Sequence, residues 1–404
     1  MTLIVQKYGG TSVNDPERIK IVADYIAHTK NRGNDVVVVV SAMGKQTDQL
    51  IRLAKDVSDV HPGREMDMLL TAGERISMSL LCMALSELNI KAASFTGSQA
   101  GIITDTFHTK ASIVEIKPDR VVTALKDGFV PVIAGFQGVS VEKDITTLGR
   151  GGSDTTAVAI ATALNADVCE IYTDVSGVFT ADPRIVPNAK KLSSLDYDEM
   201  LEIAANGGKV LALRSVEFAR RHDVPIHVRS SFTWEPGTWV KKEDKNMEEA
   251  LVSAVTHDVS EAKITATKVP DKPGIAASLF RELADKAINV DMIVQNTSTD
   301  GNTDISFTVP RTDLETALKV TKEVLPQLGG TEVLADSEVA KVSIIGAGMK
   351  TQPGVTALTF ETLAGCDINI EMISTSPIRI SCLIRQDAVE QAVQALHSAF
   401  DLDK

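Results

Sequence analysis

Over roughly the first 230 residues, short apolar runs alternate with longer stretches of helical composition. Leu3 to Tyr8 reads as a strand that ends in Gly9-Gly10. Val36 to Val40 is an unbroken valine run, the pattern of a strand covered on both faces. Val130 to Ala134 and Cys169 to Thr173 are further short strands. Ala72 to Leu88 and the Ala-rich Asp154 to Leu164 have helical composition. This alternation predicts an α/β sandwich built on a mainly parallel sheet. Ligands of such sheets sit at the carboxyl ends of the strands. Here those ends carry Gly9-Gly10, Ser41 and Thr173-Asp174.

The pattern changes near Glu235 to Glu249, where Pro236-Gly237 marks a turn and Lys241 to Glu249 is highly charged. Beyond it the chain repeats itself. Ala262-Lys263-Ile264 recurs as Ala340-Lys341-Val342, and Pro273-Gly274-Ile275 as Pro353-Gly354-Val355. Phe280 and Leu283 recur as Phe360 and Leu363. Asn289-Val290-Asp291-Met292-Ile293 recurs as Asn369-Ile370-Glu371-Met372-Ile373. Each copy reads strand, Pro-Gly loop, helix, strand, then a second strand (Asp304 to Val309; Ile378 to Ile384) and a second helix (Thr312 to Leu325; Asp387 to Phe400). That is a ferredoxin-like βαββαβ unit. The expected domains are 1–245, 262–335 and 336–404.

Composition narrows the function. The 404 residues suit two or three domains, and 44% hydrophobic with 24% charged residues is ordinary for a globular protein. Only 4% are aromatic, so the cores must be built from Val, Ile, Leu and Ala. The formal net charge of -13 opposes binding to nucleic-acid backbones and anionic membranes. Any phosphate must be held locally, by backbone N–H groups and a few cations. Cys82, Cys169, Cys366 and Cys382 form no Cys-x-x-Cys pair and read as reduced thiols of a cytoplasmic protein. Lys7 interrupts the only apolar run at the N-terminus, so no signal peptide is expected. No run of ~18 apolar residues is apparent, so no membrane span is expected either.

Two Gly-rich segments carry candidate chemistry. Lys7-Tyr8-Gly9-Gly10-Thr11-Ser12 closes the first strand; glycines let the backbone approach a phosphate, and the lysine is a point charge for a phosphoryl group. An ordinary strand-to-helix turn with a surface lysine fits this segment equally well. Thr147 to Thr156 opens the Ala-rich helix and contains Gly149, Gly151, Gly152 and Arg150. Ser153 and Asp154 are N-cap candidates there. The glycines and the helix dipole make a second anion site, and Arg150 can hold a carboxylate in bidentate fashion. Capping alone requires neither the glycines nor the arginine. Neither segment is a P-loop, and the dinucleotide fingerprint G-x-G-x-x-G is missing.

The segments KYGGTSV (Lys7 to Val13), TAGERIS (Thr71 to Ser77), GFQGV (Gly135 to Val139), TTLGRGGSDTTA (Thr146 to Ala157), YTDVSGVFTADPR (Tyr172 to Arg184) and GGKVLALRSVEFAR (Gly207 to Arg220) resemble the motif set of the aspartate kinases, in the amino-acid kinase superfamily. The C-terminal repeat resembles paired ACT domains. The likeness runs over nearly the whole chain and looks closest to the monofunctional, lysine- and threonine-regulated type. It implies a three-layer α/β sandwich followed by tandem ACT domains. It also implies transfer of the ATP γ-phosphoryl group to the β-carboxylate of L-aspartate.

Carried over position by position, the resemblance gives these roles. Lys7 neutralises the transferring phosphoryl group, with Gly9, Gly10 and Ser41 lining its path. Thr47, Glu74 and Arg150 hold aspartate, Glu74 on its ammonium and Arg150 on a carboxylate, beside Gly151 and Gly152. Ser153 and Asp154 orient the lysine and the substrate. Thr173, Asp174, Phe179, Asp182, Arg184 and Lys209 hold the nucleotide. Mg²⁺ is held mainly by phosphates, with no protein metal cage. In the repeat, Asp271, Gly274, Ile275, Ala276, Asn289, Asp291 and Gln295, then Asn369, Ile370, Glu371 and Ser376, are implied effector contacts for lysine, threonine or both. Assembly is expected to be homo-oligomeric through ACT domains. An internal translation start near Met247 would add a separate regulatory subunit.

Two positions depart from the family pattern. Ser176 stands where Asp is usual, and Gly208 where Ala or Ser is common. Two alternatives stay open on the residues alone. One is an amino-acid kinase acting on acetylglutamate, glutamate or a nucleoside monophosphate. The other is a non-catalytic amino-acid sensor, against which Lys7, Glu74, Arg150, Asp154 and Lys209 all count.

Overall fold

The valine run lies at the middle of the architecture. Val36, Val37, Val38, Val39 and Val40 are all fully buried, as a strand covered on both faces must be. It belongs to an eight-stranded sheet whose order is Ser194–Leu195, Thr238–Val240, Ile226–Ser230, Val168–Thr173, Leu3–Tyr8, Asp35–Val40, Val130–Ala134, Ala92–Phe95. Every pair is parallel except Ile226–Ser230 with Thr238–Val240. A smaller sheet takes Ile113–Ile116, Ile102–Thr104, Gln137–Ser140 and Ile145–Thr147. The computed structural model describes residues 2–242, 251–296, 301–350, 352 and 354–404. Met247 lies outside them.

The chain forms two compact units. The first comprises Met1–Val178, Lys191–Ala204 and Lys209–Asn246; the second comprises Phe179–Lys190, Ala205–Gly208 and Met247–Lys404. Two short segments from within the expected 1–245 domain therefore belong to the second unit.

In the first unit the helix Pro16–Asn31 begins with Asp15, whose side chain accepts from the Arg18 N–H at 2.9 Å, with proline at the first helical position. Its Ile19, Val22, Ala23 and Ile26 pack with Met78, Leu81 and Leu85 of the helix Ala72–Glu87 against the valine strand. By length and composition the run 63–87 could cross a membrane, which the sequence reading did not anticipate. Here its buried face, Met78, Leu81 and Leu85, is part of this core.

The second unit holds both repeats. The first is a complete βαββαβ unit, with sheet order Ile293–Gln295, Asn302–Pro310, Glu261–Pro270, Glu332–Asp336 and all pairs antiparallel. The second departs from the expected pattern. No strand follows the helix Val389–Ala399 among the described residues. Its sheet runs Ala254–Asp258, Val339–Ile345, Arg379–Arg385, Met372–Ser376, so its fourth strand comes from ahead of the first repeat. The first repeat is inserted within the second.

Where the repeats meet, Met292 and Val339 pack with Met372 and Leu383. Ion pairs flank this seam reciprocally. Lys341 of the second copy pairs with Asp291 of the first, and Lys263 of the first pairs with Glu371 of the second. The internal repeat aligns Lys263 with Lys341 and Asp291 with Glu371, so one interaction is made twice about an approximate dyad. The Lys341 side chain is 1% exposed and Asp291 35%. Breaking a fully buried pair from one side costs roughly 3–5 kcal/mol, because the remaining charge is stranded. Asp291→Ala is therefore expected to lower stability in urea unfolding by about 2 kcal/mol, less than that range since the carboxylate is partly hydrated. Adding Lys341→Met should recover most of the loss. Equal losses in the single and double variants would mean that the stranded Lys341 charge carries no penalty.

Candidate active site

The strand Leu3–Tyr8 has parallel neighbours on both sides, Asp35–Val40 and Val168–Thr173. Connections leave in opposite directions there, which opens a crevice at the carboxyl ends. Lys7 sits near that end, one strand position before Tyr8. Its ammonium lies 2.6 Å from the Asp154 carboxylate, with both side chains 11% exposed. A side chain on Gly9 would come within 3.3 Å of that ammonium, so the open backbone beside Lys7 is a condition of its placement. The backbone turns closely here: Ser12 N–H donates to Gly9 O at 2.9 Å, and Ser41 N–H to Tyr8 O at 3.1 Å.

Asp154 lies on the helix Gly152–Ala163, not at its cap as expected. The cap is Gly151, at φ 71, a left-handed conformation that glycine adopts without a steric cost. A side chain there would also come 2.4 Å from Ala212 Cβ. Shifting the cap to Gly151 puts Ser153 and Asp154 in the first turn, which frees the Asp154 carboxylate for Lys7. The helix N-terminus still presents backbone N–H groups and positive dipole at this edge.

Glu74 occupies the first turn of Ala72–Glu87 and is 3% exposed. One carboxylate oxygen accepts from Ala42 N–H at 3.1 Å; the other is buried with no hydrogen-bond partner among the described residues. Burial pushes this carboxyl up from 4.5 to about 7, although the backbone N–H bonds of Glu74 and Ala42 work the other way. Ser77 Oγ donates to Ser41 O at 2.7 Å and binds this helix to the loop after the valine strand. Thr47 lies in the first turn of Gln46–Val57. Arg150 is exposed in the turn before the Asp154 helix, flanked by Gly149 and Gly151.

The residues that the resemblance assigns to the nucleotide fall in different units of the chain. Thr173, Asp174 and Lys209 belong to the first, and Thr173 Oγ1 lies 3.0 Å from the Asp174 carboxylate. Phe179, Asp182 and Arg184 belong to the second. Asp182 and Arg184 pair with each other at 2.6 Å. Ser176 is half-buried in the bend that follows Thr173-Asp174.

In the second unit, Gly274 takes φ 98 and starts the helix Ile275–Asp285, which Ile275 and Ala276 open. Asp271, Asn289, Gln295 and Asn369 are exposed; Ile370 and Ser376 are half-buried. The side chains of Asp291 and Glu371 are already engaged by Lys341 and Lys263, so the structure places them in the seam between repeats.

Sequence reasoning missed a polar layer under the Lys7 strand. Side chains alternate across a strand, so Gln6 and Tyr8 face away from Asp154. Tyr8 stacks on Tyr172 with centroids 4.6 Å apart. The buried Glu170 accepts from Gln6 Nε2 at 2.8 Å, Tyr172 Oη at 3.0 Å and Arg229 Nη1 at 3.1 Å. Burial would raise its carboxyl, but hydrogen bonds from His227 and Gln6 and the Arg229 charge outweigh that and hold it below the usual range. A charged residue inside the apolar run Val168–Thr173 was the available signal.

Comparison with known proteins agrees with this fold. The Amino acid kinase family model matches residues 2–230, and an ACT domain model matches 263–325 and 342–400. The chain is 57% identical over 407 residues to an aspartokinase of Corynebacterium glutamicum, covering 100% of this chain and 97% of that one. It is 48% identical to an aspartate kinase of Pseudomonas putida, covering 100% and 98%. Among solved structures it resembles E. coli aspartokinase III in complex with aspartate and ADP, at TM-score 0.84 and 27% identity over 98% of this chain and 99% of that one. The fold and site define a carboxylate-directed kinase of the amino acid kinase type. The chain belongs to the aspartokinase family, the enzymes that transfer a phosphoryl group from ATP to aspartate.

The raised Glu74 carboxyl has a kinetic consequence. With Glu74 in its expected role on the substrate ammonium, only the ionised carboxyl would bind, so protonation would compete with aspartate below about pH 7. The KM for aspartate should rise toward tenfold per pH unit below that point, and Glu74→Gln should abolish the trend while raising KM throughout. A KM independent of pH between 5.5 and 8 would remove Glu74 from the substrate site. The same shift makes the sign of its stability contribution definite. It is fully present below pH 4.5 and lost as pH rises through about 7.

Proposed function

We propose that the β-carboxylate of aspartate attacks the γ-phosphorus of ATP directly, giving 4-phospho-L-aspartate and ADP. A carboxylate is ionised at neutral pH and needs no general base. Catalysis then consists of positioning and charge neutralisation. The observation that carries this reading is the Lys7–Asp154 contact at the carboxyl end of the central strand. Asp154 directs the ammonium toward the transferring phosphoryl group, and the backbone of Gly9 and Gly10 leaves room for it. Arg150 holds one substrate carboxylate and Glu74 the ammonium. The donors at this edge are cationic or N–H groups, which suit phosphate oxygens; Mg²⁺ would be held by those oxygens and water and would supply further charge neutralisation. The E. coli aspartokinase III structure with aspartate and ADP supports this assignment of substrates.

In this reading the enzyme is cytoplasmic, which its four free cysteines suit. It opens the synthesis of lysine, threonine and methionine. Its ACT repeats bind lysine, threonine or both and lower the rate by favouring an inactive state. E. coli aspartokinase III in complex with lysine and aspartate (T-state), at TM-score 0.77 and 28% identity, supports lysine as one effector. The edge strands Ile293–Gln295 and Met372–Ser376 expose Ile293 and Ile373 and would pair between subunits. A start at Met247 would release the repeats as a separate regulatory subunit.

The test is hydroxylamine-trapped acyl phosphate from aspartate and ATP with Mg²⁺, using glutamate and acetylglutamate as controls. Aspartate-specific product is expected, with kcat lowered by two or more orders of magnitude in Lys7→Ala. Saturating lysine plus threonine should suppress the product. A Lys7→Ala enzyme that keeps most of its kcat would refute the role of Lys7; an unchanged rate with both amino acids would refute the regulation.

A further inference from the structure

Asp67, in the helix Gly63–Leu70, is fully buried, and the reaction above does not use it. Three groups converge on its carboxylate. Thr147 Oγ1 donates to Oδ1 at 2.5 Å, His108 Nδ1 lies 2.6 Å from Oδ2, and Thr109 N–H reaches the two oxygens at 3.1 and 3.2 Å. They come from two segments that flank the Arg150 turn. Thr147 stands just ahead of Leu148-Gly149-Arg150. The Thr109 carbonyl lies 3.2 Å from where a side chain on Gly149 would begin, and Gly149 holds φ 79.

The same segments are bound together on another side. Ala111 N–H donates to Thr147 O at 2.9 Å. Arg214 donates to Leu148 O at 3.1 Å and to Ala111 O at 3.0 Å. A turn of Gly-Arg-Gly has little conformational preference of its own, so its geometry is imposed by these neighbours. Arg150 itself is exposed and carries a long side chain whose reach depends on where that turn starts.

We propose that Asp67 is a positioning residue for the substrate aspartate: through Thr147 and Thr109 it holds the Gly149-Arg150-Gly151 turn so that the Arg150 guanidinium meets a substrate carboxylate. This rests on the assignment of Arg150 made above. A displaced anchor of about 1 Å can cost on the order of 100-fold.

The experiment compares steady-state kinetics of Asp67→Ala, Arg150→Ala and the double variant in the full chain. Asp67→Ala is expected to raise the KM for aspartate tenfold or more, with kcat and the KM for ATP within about twofold. The double variant should be no worse than Arg150→Ala, because Asp67 acts through that residue. Additive losses, or a fall in kcat at unchanged KM, would overturn the proposal. Should Arg150→Ala itself leave the aspartate KM unchanged, the assignment of Arg150 falls, and this proposal with it. Thr147→Val and Thr147→Ser decide the matter if Asp67→Ala does not fold: the serine variant should behave as wild type and the valine variant should raise KM. Equal behaviour of the two would reject the proposal.

Discussion

The catalytic unit depends on one ion pair drawn out of water. Lys7 and Asp154 are each about nine-tenths buried and 2.6 Å apart. Two charges in that position cost several kcal/mol each in lost hydration, and their attraction offsets this only when the geometry is held tightly. The sheet supplies that geometry. Lys7 is on the central strand, Asp154 on the helix that packs across it, and strands on both sides keep the Lys7 backbone from shifting. On the opposite face, the Glu170 layer with Gln6, Tyr172 and Arg229 binds the same strand to its neighbours. The pair thus stands between a rigid polar layer and the open carboxyl edge of the sheet.

The unit that holds the ACT repeats solves a related problem by duplication. Each repeat contributes one lysine and one acid to the other, and the apolar residues Met292, Val339, Met372 and Leu383 fill the space between. Insertion of the first repeat within the second makes the two sheets covalently interleaved, since Ala254–Asp258 must precede the first repeat and still pair with Val339–Ile345. An effector that altered the seam would therefore act on both sheets together.

Much of the site was legible as short motifs. Lys7, Arg150 and Asp154 stood out because Gly-rich turns with charged residues beside them serve a local chemical purpose that spacing can reveal; Glu74 was singled out only by the resemblance to the aspartate kinases. Asp67 and Arg214 gave no comparable signal. Asp67 sits in a helix where an acidic residue is unremarkable, and its partners are 41, 42 and 80 positions away in the chain. The helix cap shows the same limit. Ser153 and Asp154 have the composition of caps, yet Gly151 takes the role because the tertiary setting needs Asp154 turned toward Lys7.

Local pattern was enough to establish the alternation of strands and helices, the buried valine strand, the internal repeat and the Gly-rich turns at the strand ends. Each of these depends on residues close together in sequence, where periodicity and backbone preference act directly. Folding alone assigned the strand order that sets Lys7 at the centre, the fourth strand taken from ahead of the first repeat, and the crossed ion pairs between repeats. It also assigned the buried carboxylate behind Arg150. Those features join residues far apart in the chain, and the desolvation and packing energies that select among such pairings exist only once the elements are in contact.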